Sequence, residues 1–258
     1  MAATRLDSHH RPAAGGRGLF HPCHDRRRLR PGRHPPRGIA MIALEHVTRS
    51  YQTPRGRIDA LADVSLAIDK GRFVVVCGPS GSGKTTLLMT IAAMLRPTAG
   101  TVRIHDADLY AMSIRRRARY RAANIGFVFQ MFHLIPYLNV AENVRLGGSL
   151  LPAARKKHRA DELIEQLGLS SRRTHLPAEL SAGEKQRAAV ARALLSDPDI
   201  ILADEPTGNL DPANETAVLT RLSKFHRKGG TVIIATHGPA ASPFADQTLQ
   251  MANGRLLE

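Results

Sequence analysis

Residues 78–85 read Gly-Pro-Ser-Gly-Ser-Gly-Lys-Thr, a G-x-x-x-x-G-K-[ST] run between the apolar stretch 73–77 and a helix-like stretch over 86–95. A buried-type strand, a glycine-rich turn and a helix in that order point to an α/β fold with a phosphate-binding loop. Glycines let backbone N–H groups turn inward, and the helix end adds positive potential. Lys84 is placed to reach terminal phosphates, and the Thr85 hydroxyl to meet Mg²⁺. Gly78, Pro79, Ser80, Gly81, Ser82, Gly83, Lys84, Thr85 and Thr86 are therefore the expected cradle of a nucleoside triphosphate.

The pattern of strand and helix continues from Met41 onward. Val64, Leu66 and Ile68 alternate at period two, and Val102 with Ile104 marks another short strand. Strands are predicted over 125–129, 200–203 and 231–235, and helices over 153–167, 182–195 and 214–227. The helical stretch between Phe129 and the strand at Ile200, about residues 131–196, reads as an insert in the α/β core.

Net charge is +15 over 258 residues, which suggests nucleic acid until it is divided along the chain. Residues 1–40 hold nine arginines against Asp7 and Asp25, a surplus of seven, and the rest carries the other eight. Few aromatics are present for base stacking, so no nucleic-acid partner is expected. Residues 1–40 are rich in Arg, His, Pro and Gly without a sustained apolar period, which predicts a disordered extension with the ordered domain over 41–258. Met41 is then a candidate true start. Arg26, Arg27, Arg28 and Arg30 could touch anionic headgroups, although a solvated tail is the plainer reading. His21, Cys23, His24 and His34 lack finger spacing, so zinc is not expected. The apolar runs fall far short of the roughly 20 residues of a membrane helix. Two cysteines give no disulfide framework, which fits a reducing compartment.

Two further motifs carry chemistry. Ile200-Ile201-Leu202-Ala203-Asp204-Glu205 ends an apolar strand with two acids. Ligands of a parallel sheet gather at carboxyl strand ends, so Asp204 should share Mg²⁺ with Thr85 while Glu205 polarises an attacking water. Leu180-Ser181-Ala182-Gly183-Glu184 opens a helix as a capping box through Ser181 and Glu184. A capped helix start beside a glycine also presents N–H groups and a hydroxyl to an anion.

The phosphate loop, the Leu-Ser-x-Gly-Glu segment and the Asp-Glu strand, in that order, resemble the nucleotide-binding subunit of an ATP-binding cassette (ABC) transporter. The resemblance covers residues 41–258. It implies a P-loop NTPase core of ABC type: a mixed sheet with flanking helices, an antiparallel β subdomain and an α-helical insert. Tyr51 stands where the family stacks an aromatic on adenine. Gln130 matches the glutamine that senses metal and water, Asp211 the loop that crosses to the opposing subunit, and His237 the histidine at the γ-phosphate. Catalytic roles are thus implied for Glu205, His237 and Gln130, and Mg²⁺ ligation for Thr85, Gln130 and Asp204. Ser181 and Gly183 would meet the nucleotide of a second copy, giving a dimer that sandwiches two ATP molecules.

Residues 174–180, Glu184 and Pro206-Thr207-Gly208-Asn209-Leu210-Asp211 resemble the lipoprotein-releasing and macrolide-exporting group. Such a subunit would sit peripherally on the cytoplasmic face of the inner membrane, beneath an integral-membrane permease, and drive export or release of a lipid, lipoprotein, peptide or macrolide-like substrate. Two alternatives are a cell-division relative that transmits force to cell-wall hydrolases and a soluble ABC ATPase outside transport. Phe129, Met131, Phe132, Leu134, Ile135 and Tyr137 are candidates for the permease groove, about half of them being expected in the insert's own core. Two positions depart from the family pattern: Ala182 replaces a glycine, and Gly238 stands where the group carries an acid.

Overall fold

The computed structural model describes residues 40–54, 56–208 and 210–257. The reading of residues 1–40 and of their arginine, histidine and cysteine clusters lies, but for Ala40, outside these residues.

The chain opens with a long antiparallel hairpin, β1 (Ile42–Thr53) and β2 (Gly56–Ile68), in which Leu44 faces Leu66 and Tyr51 faces Ile58. After β3 (Phe73–Cys77) and α1 (Lys84–Ile91), β4 (Ala99–Ile104) pairs with β1 and β5 (Ala107–Asp108) with β4. These form a four-stranded antiparallel sheet in the order β2-β1-β4-β5.

The second sheet is built mostly from parallel strands. Helix α2 (Ile114–Asn124) leads into β6 (Ile125–Val128). Three helices then follow without a strand: α3 (Val140–Arg145), α4 (Ala153–Gln166) and α5 (Ala182–Leu194). The chain continues through β7 (Ile200–Asp204), α6 (Pro212–Arg227), β8 (Thr231–Thr236), β9 (Gln247–Ala252) and β10 (Arg255–Leu257). The sheet order is β10-β9-β3-β8-β7-β6, parallel except for the edge strand β10. This is a mixed P-loop sheet of the expected kind.

The buried strand β3 shows why two layers are needed. Phe73, Val75 and Cys77 face a core shared with α3, α4, α5 and α6, whereas Val74 and Val76 face a core shared with α1 and the antiparallel sheet. Period-two alternation puts apolar residues on both faces, so each face must be covered.

Several boundaries differ from the sequence reading. Helix α1 starts two residues earlier than expected, inside the phosphate loop, and stops at Ile91, where Ala93 takes a left-handed φ of 57°. Strand β6 ends at Val128, so Phe129 already belongs to the turn. Helix α6 begins at Pro212 because Asp211 caps it there.

Candidate functional site

Parallel pairing brings the carboxyl ends of the central strands to one level: Cys77 lies opposite Thr236, and Asp204 opposite Ala235. The phosphate loop leaves this edge from β3. Gly83 is the cap of α1 at φ 103°, a conformation that side chains rarely adopt, and an added Cβ there would also overlap the Ala60 carbonyl of β2. The loop is thus gripped between the hairpin and the helix it starts. Lys84 is buried, and its Nζ donates to the carbonyls of Gly78 (2.7 Å) and Pro79 (3.0 Å), so the cation is folded over the loop.

Thr85 and Asp204, 119 residues apart, meet at this edge: the Thr85 hydroxyl donates to Asp204 Oδ1 at 3.1 Å. Burial pushes the Asp204 carboxyl above its ordinary range, with the Thr85 hydrogen bond pulling the other way. A buried carboxylate and a hydroxyl are hard oxygen donors of the kind Mg²⁺ takes. Glu205 follows at φ 45°, a left-handed backbone costing about 1–3 kcal/mol for a non-glycine residue. Its N–H donates to the Ala235 carbonyl (2.8 Å), which helps hold that conformation. One carboxylate oxygen is 2.9 Å from Nδ1 of the exposed His237, and the other is buried without a hydrogen-bond partner among the described residues. That orphaned oxygen fits a site built to act on something the protein does not itself supply.

Other sequence-predicted residues stand at the margins. Gln130 is exposed, two residues past β6 on the same sheet end, and makes no hydrogen bond among the described residues. The Tyr51 ring, 38% exposed, carries the Arg49 guanidinium 4.6 Å from its centroid. Asp211 is an α6 cap: Oδ1 accepts from the N–H groups of Ala213 (3.1 Å) and Asn214 (3.0 Å), and Oδ2 from Asn214 Nδ2 (2.5 Å). These bonds, Asn214's side chain first, hold its carboxyl below the ordinary range.

The start of α5 forms the predicted capping box. Ser181 Oγ accepts from the Glu184 N–H (3.2 Å), and Glu184 Oε2 accepts from the Ser181 N–H (2.8 Å). Arg172 Nε adds a bond to Glu184 Oε1 at 2.9 Å. The Ser181 N–H and then Arg172 hold the Glu184 carboxyl down to about 2. Gly183 has a packing role that the sequence did not reveal, because an added Cβ would overlap the Asn214 amide. Asn214 cannot swing away freely, being bonded to both Asp211 and Arg187. Ala182 is exposed in the first turn, and a Cβ on Gly238 would meet only Thr236 Oγ1 at 3.8 Å. Both departures are therefore accommodated within the chain.

Sequence reasoning missed the polar staples. Buried Gln186 donates from Nε2 to the Pro206 carbonyl (2.7 Å), tying α5 to the segment after Glu205. Buried Asn143 donates to the carbonyls of Ile135, Leu138 and Asn139 and accepts from the Ile135 N–H, which shapes the segment before α3. No local motif marks either residue. In that segment Met131 (69%) and Tyr137 (77%) are exposed, Leu134 and Phe129 pack against the two cores, and Phe132 and Ile135 are half-buried.

Comparison with known proteins agrees with this geometry. The family model described as "ABC transporter" matches residues 61–208. The lipoprotein-releasing system ATP-binding protein LolD 1 of Rhodopirellula baltica is 40% identical over 220 residues, 84% of this chain and 96% of that protein. The macrolide export ATP-binding/permease protein MacB of Bradyrhizobium diazoefficiens is 38% identical over 83% of this chain but only 33% of its own length. Among solved structures, the ATP-binding cassette MJ0796, a dimer in a post-hydrolysis state bound to ADP and Pi, superposes with a TM-score of 0.80. It is 36% identical, with 84% of this chain and 97% of that one covered.

Proposed function

The chain belongs to the ABC transporter family, and on that premise we propose that it is the ATP-hydrolysing subunit driving a separate integral-membrane permease. It resembles the ATP-binding subunits of the lipoprotein-releasing and macrolide-exporting group, and it binds and hydrolyses ATP. The substrate class proposed is a lipid, lipoprotein, peptide or macrolide-like molecule, moved outward or released from the membrane. Among the described residues no helix is long and apolar enough to cross a membrane. The permease is proposed as a separate chain, with the subunit working peripherally on the cytoplasmic face.

The observation that carries the reading is the meeting of Thr85, Asp204, Glu205 and His237 at one sheet edge beside Lys84. The phosphate loop and Lys84 bind the triphosphate, and Tyr51 offers a ring face to the base. Thr85, Asp204 and Gln130 would hold Mg²⁺, which when bound neutralises charge on the phosphate oxygens. The free oxygen of Glu205 takes the proton of the attacking water, while His237 holds the other oxygen and orients the carboxylate. By the family resemblance Ser181 and Gly183 serve the nucleotide of a second copy, a reading supported by the dimeric state of the similar cassette. That head-to-tail pairing makes the dimer the working unit.

Glu205→Gln tests this directly. It should leave ATP affinity intact, cut hydrolysis by about 10² to 10⁴, and let ATP trap a stable dimer. Near wild-type turnover in that variant would remove Glu205 from the reaction.

A further inference from the structure

Arg192 closes the last turn of α5 and is a cation that the reaction does not use. Its Nη1 donates to the His133 carbonyl (2.5 Å) and its Nη2 to the Phe132 carbonyl (2.6 Å). Half-buried charges usually find an opposite charge, yet no carboxylate pairs with it among the described residues. Among the described residues its burial is offset by these two carbonyls.

The carbonyls belong to an unusual turn. Phe132 and His133 are consecutive, non-glycine and both left-handed, at φ 60° and 46°. Such a pair persists only where its surroundings over-determine it. Within the turn the Phe132 N–H donates to Phe129 (3.2 Å), the His133 N–H to Met131 (2.6 Å), and the His133 ring meets Phe129 edge-on at 4.6 Å. A further restraint is the guanidinium, whose planar fork suits two neighbouring acceptors as a lysine would not.

The turn follows Gln130 directly, and Arg192 lies eleven residues along α5 from Ser181, roughly 16 Å at 1.5 Å per residue. The 3-10 turn that follows α3 is pressed on the same point, since a Cβ on Gly147 would overlap the Arg192 carbonyl. One rigid helix thus carries Ser181 at its start and the clamp on the Gln130 turn at its end.

We propose that Arg192 is a positioning residue for Gln130: it clamps the left-handed Phe132–His133 turn, so that Gln130 and the helix begun by Ser181 shift as one body. This rests on the reading of Gln130 as the metal- and water-sensing glutamine. Turnover depends on the clamp, whereas nucleotide binding by the phosphate loop does not.

The test uses the full chain with MgATP and four variants: Arg192→Ala, Arg192→Lys, Gln130→Ala, and Arg192→Ala combined with Gln130→Ala. Steady-state kinetics are read together with hydrogen exchange at the Phe132 and His133 amides. Arg192→Ala should lower kcat by about 10- to 100-fold, with KM for ATP within about twofold. The two amides should exchange at least about tenfold faster, with α5 unchanged. Arg192→Lys should recover part of both losses. The double variant should be no more than about twofold slower than Gln130→Ala alone. Multiplied losses in the double variant, unchanged exchange, or a matching loss of ATP affinity would each overturn the clamp. Wild-type turnover in Gln130→Ala would instead overturn the role given to Gln130, and the proposal with it.

Discussion

The edge of the parallel sheet and the start of α5 are the two regions proposed to meet phosphate, and they differ in how their polar groups are satisfied. At the sheet edge, Glu205 keeps a buried oxygen without a partner among the described residues, and the Asp204 carboxylate is bonded to the Thr85 hydroxyl. At the start of α5 every element of the cap is closed upon itself, Ser181 against Glu184 and Glu184 against Arg172. On the proposed function the first region is organised around a ligand, and the second is closed without one. A surface already satisfied can be presented to a second copy of the chain without strain. Function and stability therefore separate by region, and substitutions can separate them too.

The largest difference should come from Lys84→Ala. Removing the cation from the loop should weaken a fluorescent ATP analogue by at least about 100-fold, since charge-assisted bonds are among the strongest a protein makes. The melting temperature should move far less than in the next variant. If affinity fell by less than about fivefold, the sheet edge would not be the phosphate site.

Gly183→Ala should reverse that pattern. The added methyl group strikes Asn214, which Asp211 and Arg187 hold in place, so chemical denaturation should show a loss of about 1–3 kcal/mol. ATP binding by the single subunit should stay within about twofold. Combining it with Asn214→Ala should cost less than the sum of the two changes, because the clash and the locked amide are one interaction. Strict additivity would show that Gly183 answers to another constraint.

The smallest effect concerns Glu184, whose carboxyl is held at about 2 in the fold against an ordinary 4.5. A depressed carboxylate stabilises the fold above pH 4.5, and that stabilisation is lost as pH falls from 4.5 toward 2. Glu184→Gln should thus cost about 1 kcal/mol at pH 7, with the gap to wild type closing across that acid window. A gap independent of pH would mean that packing, rather than charge, carries the cap.

The legible parts of the molecule share a property. Phe73–Cys77, the glycine loop, Ser181 with Glu184, and the Asp204-Glu205 strand end each announce their conformation within a few residues. Helix α2 does not. Its Arg-rich sequence, Ile-Arg-Arg-Arg-Ala-Arg-Tyr-Arg-Ala-Ala-Asn, has no apolar stripe, and none of its residues is buried. Strands β9 and β10 were also missed, since Gln-Thr-Leu-Gln-Met-Ala is mostly half-buried next to the edge strand and lacks a clear period, and β10 is only three residues long. At the site, Gln186, Arg187 and Arg192 are ordinary residue types whose partners lie on other elements, and Asn143 is one whose partners lie in the irregular segment before its helix.

By itself the sequence determined the α/β class, the phosphate loop, the acidic strand end and the capped start of α5. Backbone freedom at glycine, side-chain caps and period-two burial all act between residues a few positions apart. Tertiary structure alone decided that Gly183 must be small, that Arg187 holds Asn214, and that Arg192 grips the turn after Gln130. Each of those depends on which atoms the packing of α5 against α6 and against the segment before α3 brings within 3 Å, and no spacing along the chain encodes that distance.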